Sequence, residues 1–313
     1  MKKIISIISV LTLAACLSAS SVEIKDSASV AAKYLDITAG AAGAGMGNAY
    51  LGASVDAEAV FWNPAGLNNM KRQDKDFSIY FSQNIWFMNS AMTHISAAKH
   101  VKKIGTFALG LAYFGAGEMD RSGITSAGDP IPMEGSFSPF GFIASVSYAN
   151  NLDQDTDYGV TIKYLLDSVD GDGVHAALFD IGARYHFRPL SGLSFSLAAK
   201  NFGAAIAGKP AAKEVSIAAL YAFAIEDFKF KVEYDACGKL SVPALHRAGL
   251  EVVFPYLFTA RLGYQTDNTG ATEGLKGFTA GIGVNIDRKK IDFAFEPYGE
   301  IGEAYKLSFG GDF

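Results

Sequence analysis

From position 77 to the C-terminus the chain alternates apolar and polar residues with a period of two. In 228–235 the apolar set Phe228, Phe230, Val232 and Tyr234 falls on one face, and Lys229, Lys231, Glu233 and Asp235 fall on the other. Residues 291–296 and 258–265 repeat the pattern, and 178–187 sets Phe179, Ile181, Tyr185 and Phe187 against Asp180, Gly182, Arg184 and His186. Successive side chains of a strand point to opposite faces, so these stretches predict two-faced strands. We count 14 of them, near 77–87, 90–100, 104–114, 137–150, 156–167, 174–187, 192–201, 212–224, 227–236, 244–254, 257–266, 275–286, 289–297 and 303–313. They are long for soluble strands and suit tilted membrane strands of about 9–11 residues.

The connections set the expected topology. Those after the second, sixth, eighth, tenth and twelfth segments are tight, at 101–103, 188–191, 225–226, 255–256 and 287–288. Most of the alternate ones are longer: 115–136, 168–173, 202–211, 237–243, 267–274 and 298–302. An even number of antiparallel strands with short turns on one side and long loops on the other is the pattern of an outer-membrane barrel, whose short turns are periplasmic. On this pattern the N-terminal segment and the C-terminus share the tight-turn side, and both termini are expected in the periplasm. Lipid supplies no hydrogen bonds, so Phe228, Phe230, Val232 and Tyr234 should face outward, and Lys229, Lys231, Glu233 and Asp235 inward. A soluble sandwich would bury the apolar face instead.

Composition narrows the picture. Half of the 313 residues are hydrophobic, yet no apolar run after the first 20 approaches the ~18 of a membrane helix. Glycine, at 33 residues, and aromatics, at 12%, are plentiful. A net charge of −5 without a long Lys/Arg cluster argues against nucleic-acid binding. Two cysteines, Cys16 and Cys237, give no disulfide framework.

Residues 1–20 read as a secretory signal, with Lys2 and Lys3 ahead of a short apolar stretch. Leu13-Ala14-Ala15-Cys16 resembles a lipobox, which would put a lipid on Cys16; ordinary cleavage among residues 16–20 is the alternative. The division expected is a signal peptide at 1–20, an N-terminal periplasmic segment and plug at 21–76, and a transmembrane β-barrel at 77–313.

The plug assignment rests on 36–67. This stretch holds Gly40, Gly43, Gly45 and Gly47, then Asp56 and Glu58, then Phe61-Trp62-Asn63-Pro64-Ala65-Gly66-Leu67. Residues without a Cβ allow backbone to pack closely against a crowded wall. Pro64 restricts Asn63 to extended geometry, and Asn63 can bond local backbone. Small inward residues at Ala108, Gly110, Ala112, Gly281 and Gly283 leave space for such a plug or for a ligand.

These residues, with the closing stretch 292–299 and the strand count, resemble the PorV/PorQ family, a branch of the FadL-like outer-membrane barrels. The middle of the chain matches in pattern only. The resemblance implies a 14-strand barrel with an N-terminal hatch to which Gly43, Gly45, Gly47, Asn63, Pro64, Ala65 and Gly66 belong. It also implies a non-enzymatic role, handling secreted proteins or acting with a type IX-like secretion system. The alternative is FadL-like passive transport of hydrophobic small molecules across the outer membrane, with a hydrophobic ligand as partner. The chain departs from the fatty-acid transporters in being shorter, with 115–136 as its largest external loop. The alternation of Tyr305, Leu307 and Phe309, ending on Phe313, looks like the sorting signal read by barrel-assembly machinery.

Other chemistry finds little footing. Residues 43–47 miss the spacing of a dinucleotide loop. Asp167, Asp170 and Asp172 do not meet a calcium-loop pattern and read as a solvated acidic turn. His175 and His186 lack a third ligand nearby. No serine sits in a nucleophile elbow, and Glu118 and Asp120 lie on a loop. No cofactor, metal or catalytic residue is expected.

Overall fold

A computed structural model of the protein describes residues 30–126, 128–239, 242–266 and 276–313. The signal segment and Cys16 lie outside the described residues.

Among the described residues, sixteen strands follow residue 76. They are β1 (Phe77–Ile85), β2 (Ala91–Val101), β3 (Gly105–Gly115), β4 (Met119–Ile124), β5 (Pro130–Phe137), β6 (Phe140–Asn151), β7 (Thr156–Val169) and β8 (Asp172–His186). There follow β9 (Leu193–Gly203), β10 (Glu214–Ile225), β11 (Phe228–Lys239), β12 (Val242–Val253), β13 (Phe258–Gln265), β14 (Phe278–Ile286), β15 (Lys289–Pro297) and β16 (Glu303–Asp312). Fourteen of them form one closed antiparallel barrel, and β4 and β5 pair as a separate hairpin. The barrel closes where β1 meets β16, in register from Ser78 opposite Asp312 to Ile85 opposite Tyr305. Each predicted segment corresponds to one barrel strand.

The faces follow the alternation. Ile95, Leu109, Val146, Ile181 and Ile282 are exposed on the outside, and Ile162 at the middle of β7 keeps 68% of its surface exposed. Asp180, Arg184, Glu233, Asp235, Arg261 and Lys306 are buried inside. A wall with aliphatic residues outward and charges inward is built for hydrocarbon outside, and it excludes the soluble sandwich.

Three sequence expectations need correction. The turn after β7 is two residues, 170–171, and β11 runs on to Lys239 with β12 starting at Val242, because both hairpins run further than their alternation suggested. The stretch 115–136 is not an unstructured loop, since most of it is the hairpin β4–β5. The third concerns the segment before β1, expected on the tight-turn side; the N-terminus itself lies outside the described residues. Phe313 lies at the tight-turn end, where its N–H donates to the Phe77 carbonyl. The first described residues lie at the opposite end: the Ala31 N–H donates to Pro210 in the long connection after β9, and Tyr34 stacks on Phe114 at the end of β3. The segment therefore runs the length of the lumen before β1 begins.

Candidate functional site

Residues 30–76 fill the barrel from within. A 3-10 turn at Lys33–Asp36 leads into a short helix at Ala41–Gly45, followed by 3-10 turns at Asp56–Phe61 and Pro64–Asn68 and a last helical turn at Asn69–Arg72. None of these is long enough to be stable alone, so their conformation comes from the wall around them.

Close approach is made possible by pairs of glycines facing each other on neighbouring strands. Gly249 of β12 is in register with Gly263 of β13. A Cβ added to Gly263 would sit 1.9 Å from the Gly47 nitrogen, and one at Gly249 would sit 2.6 Å from the Met46 carbonyl oxygen. Gly47 itself has φ of 66°, which favours glycine. Next to it, a Cβ on Gly45 would meet the Gly281 Cα at 2.9 Å.

A second pair receives the Asn-Pro-Ala-Gly block. Gly159 of β7 and Gly182 of β8 are also in register. A Cβ at Gly182 would lie 2.0 Å from the Asn63 side-chain oxygen, and one at Gly159 would lie 2.3 Å from the Pro64 backbone. Asn63 caps the turn that follows it. Its Oδ1 accepts from the Ala65 N–H at 3.1 Å, and its Nδ2 donates to the Ala183 carbonyl at 3.3 Å. Pro64 occupies the first position of that turn, where its missing N–H costs nothing. Gly43 packs on Trp62 rather than on the wall, and Gly66 packs against Ser54 and Ala59. Thus Gly45, Gly47, Asn63, Pro64 and Ala65 are brought against the barrel, while Gly43 and Gly66 pack mainly within the segment.

Inward charges hold the segment's backbone. Glu233 and Asp235, each 1% exposed, accept from four successive N–H groups. Asp235 takes those of Tyr50 and Leu51 at 3.1 and 3.2 Å, and Glu233 takes those of Gly52 and Ala53, the latter at 2.9 Å. Arg184 donates to the Ser54 carbonyl at 2.7 Å. Lys306 pairs with Glu296 at 2.9 Å and donates to the Thr38 carbonyl and hydroxyl at 3.1 and 2.9 Å. Within the segment, the Tyr50 hydroxyl donates to Glu58 at 2.8 Å. Burial raises the Glu58 carboxyl above its usual range, and the Lys290 charge works in the opposite direction.

The lumen is not uniform along its axis. Toward the long-loop end an apolar cluster joins Tyr34 and Ile37 of the segment to Met92, Ile143, Leu165 and Leu178 of the wall. Beside it lies a cavity of about 50 Å³, with Leu35, Ile37 and Phe61 on one side and His94, Lys163 and Asn201 on the other. Ala112 also lines it, so one of the small inward residues leaves free space; Gly110 and Gly281 are instead filled by Val60 and Gly45. Toward the tight-turn end two larger spaces of about 1120 and 620 Å³ are lined by charged groups, among them Lys229, Lys231, Arg261 and Lys290. Residues 50–61 stand between the apolar chamber and these vestibules.

The C-terminal residues Tyr305, Leu307 and Phe313 are exposed, and Phe309 pairs with Phe81 of β1. The acidic turn holds Asp170, which pairs with Arg121 of the β4–β5 hairpin. The anchoring role of Glu233 and Asp235 and the glycine pairs Gly159/Gly182 and Gly249/Gly263 are absent from the sequence reading. Their signal was present: glycines at inward positions of strands already assigned an inward face.

No family model and no curated protein matches the chain. Solved structures do. The toluene transporter TbuX of Ralstonia pickettii superposes with a TM-score of 0.57 at 13% identity, covering 88% of this chain and 98% of that one. A deltaS2S3 mutant of the monoaromatic hydrocarbon channel TodX gives 0.55 at 11% identity, covering 88% and 99%. The monoaromatic hydrocarbon channel CymD gives 0.52 at 12%, covering 88% and 98%. At these identities the likeness is one of fold: the chain is a closed 14-strand barrel, the fold it shares with these channels.

Proposed function

We propose that the protein is a passive transporter of hydrophobic small molecules across the outer membrane. The observation that carries this reading is the apolar cluster at the long-loop end of the lumen, with a small cavity beside it, set against charged vestibules at the other end. Burying apolar surface is favourable at roughly 25 cal/mol per Å², so a greasy solute would collect there and not in the vestibules. The hydrocarbon channels that share the fold support this reading better than a role in protein secretion.

In this proposal the tight-turn end and Phe313 face the periplasm, and the long connections face outside. Residues 36–70 act as the hatch between chamber and vestibules. Tyr305, Leu307, Phe309 and Phe313 serve as the signal for barrel assembly. The test is uptake of labelled toluene by cells expressing the wild type, an Ala112→Trp variant that fills the chamber, or no barrel. Expected is uptake well above the empty control for the wild type alone. Equal uptake in all three overturns the transport reading. Deleting residues 36–70 should raise bilayer conductance, and unchanged conductance overturns the hatch.

A further inference from the structure

Burial makes an unpaired ion costly, so charges turned into a filled lumen are expected in pairs. Most of those at the tight-turn end are. Lys231, Glu251, Arg261 and Asp292 form a chain with contacts of 2.9, 2.7 and 2.7 Å. Lys75 bridges Asp56 and Asp312 at 2.6 Å each. Arg188 pairs with Asp155 at 2.5 Å. The vestibule of about 620 Å³ nonetheless presents a one-sided set. Lys75, Arg184, Arg188, Lys231 and Lys290 line it, and among its described lining residues Asp56 is the one carboxylate.

Two of these five cations, Arg184 and Lys290, have no ion-pair partner among the described residues. Arg184 is 5% exposed. Its Nη2 donates to the Ser54 carbonyl at 2.7 Å, and its enclosed Nε finds no partner among the described residues. Glu233 is the carboxylate that acts on it most strongly, but Glu233 is turned to the N–H groups of Gly52 and Ala53. Lys290 is half-buried and stands where this vestibule meets the larger one. Glu58, Asp56, Glu251 and Asp292 act on its ammonium from a distance, and each is held by another group. Glu58 accepts from Tyr50 at 2.8 Å, Asp56 is held by Lys75, and the other two are held by Arg261. Asp56 is the neighbour common to Arg184 and Lys290.

We propose that this vestibule binds a small organic dianion, a phosphomonoester or a dicarboxylate, on Arg184 and Lys290. Two unmatched positive charges are balanced by two negative ones, and a monocarboxylate leaves one of them uncompensated. A phosphomonoester carries about −1.5 to −2 charges at neutral pH and three acceptor oxygens. The space suits such a molecule. Its volume of about 620 Å³ falls within the roughly 300–1,000 Å³ of small-molecule sites. Leu193 and Leu220 offer apolar surface to the body of the ligand. Gly52, Ala53 and Val55 line the same space, so a ligand there touches the inner segment and the wall together. The site goes beyond the transport reading: it lies at the end opposite the apolar cluster, and its charged ligand enters from the tight-turn side without passing the hatch.

Phenyl phosphate, isophthalate and benzoate share one ring; the first two are dianions and the third is a monoanion. Their binding to the full-length protein in detergent, measured by titration calorimetry against a matched micelle blank, tests the proposal. A dianion should bind one saturable site at least about tenfold tighter than benzoate, the scale of one charge-assisted hydrogen bond. The tighter of the two dianions identifies the head as phosphoryl or dicarboxylate. Lys290→Gln should remove most of that preference, and Lys229→Gln, which lines the larger vestibule, should keep it. Benzoate binding as tightly as both dianions, or no saturable binding of either dianion, overturns the assignment in the wild type alone, however the variants fold. A preference that survives Lys290→Gln overturns it as well. Toluene uptake is read separately, so loss of the site leaves the transport reading standing, and loss of uptake leaves the site standing.

Discussion

Replacing Glu233 with alanine should release the part of the hatch that divides the chamber from the vestibules. Glu233 accepts the N–H groups of Gly52 and Ala53, and no other acceptor for either is found among the described residues. Leaving a buried donor unsatisfied costs about 1–3 kcal/mol, so two cost roughly 2–6 kcal/mol. The low end applies if vestibule water reaches the vacated space. Relief of like-charge repulsion with Asp235 acts in the opposite sense, and Arg184 and Arg247 beside the pair limit that relief. At about 1.4 kcal/mol per factor of ten, even a 2 kcal/mol loss raises the displaced population about thirtyfold. The assay is single-channel conductance in planar bilayers, paired with limited proteolysis of residues 48–56 in the folded barrel. Glu233→Ala should show frequent openings and faster cleavage, and Glu233→Gln, which keeps one acceptor oxygen, should fall between it and the wild type. Wild-type conductance and wild-type cleavage in the alanine variant would refute the anchoring argument.

Three further expectations test other parts of the structure. Gly182→Val forces its Cβ against the Asn63 side chain, so it should cost about 1–3 kcal/mol of overpacking and lower the temperature at which the barrel loses its folded electrophoretic mobility; an unchanged midpoint counts against the glycine slot. Ile162→Arg, at the middle of the outer face of β7, should impair membrane insertion by about 2–4 kcal/mol, read as loss of folded protein from the membrane fraction, whereas Asp180→Asn on the inner face should leave insertion near normal; the reverse order would invert the assigned faces. Glu58 has a raised carboxyl pKa, so the folded state holds its proton more tightly than the unfolded state, and stability contributed below the unfolded value is lost as pH rises through the folded one. Glu58→Gln should therefore flatten the pH dependence of unfolding above the ordinary carboxylate range, and an unaltered profile rules out that linkage.

Much of the barrel was legible because one rule governs it. A period of two assigns both strand and face, and lipid forbids unpaired backbone, so Phe179 against Asp180 or Phe230 against Glu233 could be read directly. Turns were less legible. The hairpins β7–β8 and β11–β12 extend past the bilayer-facing part of the wall, where polar residues such as Asp167 and Ser168 interrupt the alternation without ending the pairing. Pro130 and Pro132 disguised β5, which tolerates proline because it belongs to a two-stranded sheet that is all edge. The segment 36–67 was recognisable from its glycines and from Asn63-Pro64, but its course was not. A sequence shows that a strand begins at Phe77, and it does not show that the preceding residues descend through the lumen from Ala31. The register shift between Phe179 and Ile181, where β8 pairs with β9, was hidden for a related reason: Lys200 and Asn201 read as an ordinary strand end.

The cylinder holds its own leading residues at several points around its circumference, from Gly159 and Gly182 to Gly263 and Gly281. This has a consequence for the order of biogenesis. The Ala41 N–H is bonded to Ser308, 267 positions later in the chain. That contact can form only once the last strand is present, and contacts so distant in sequence form slowly.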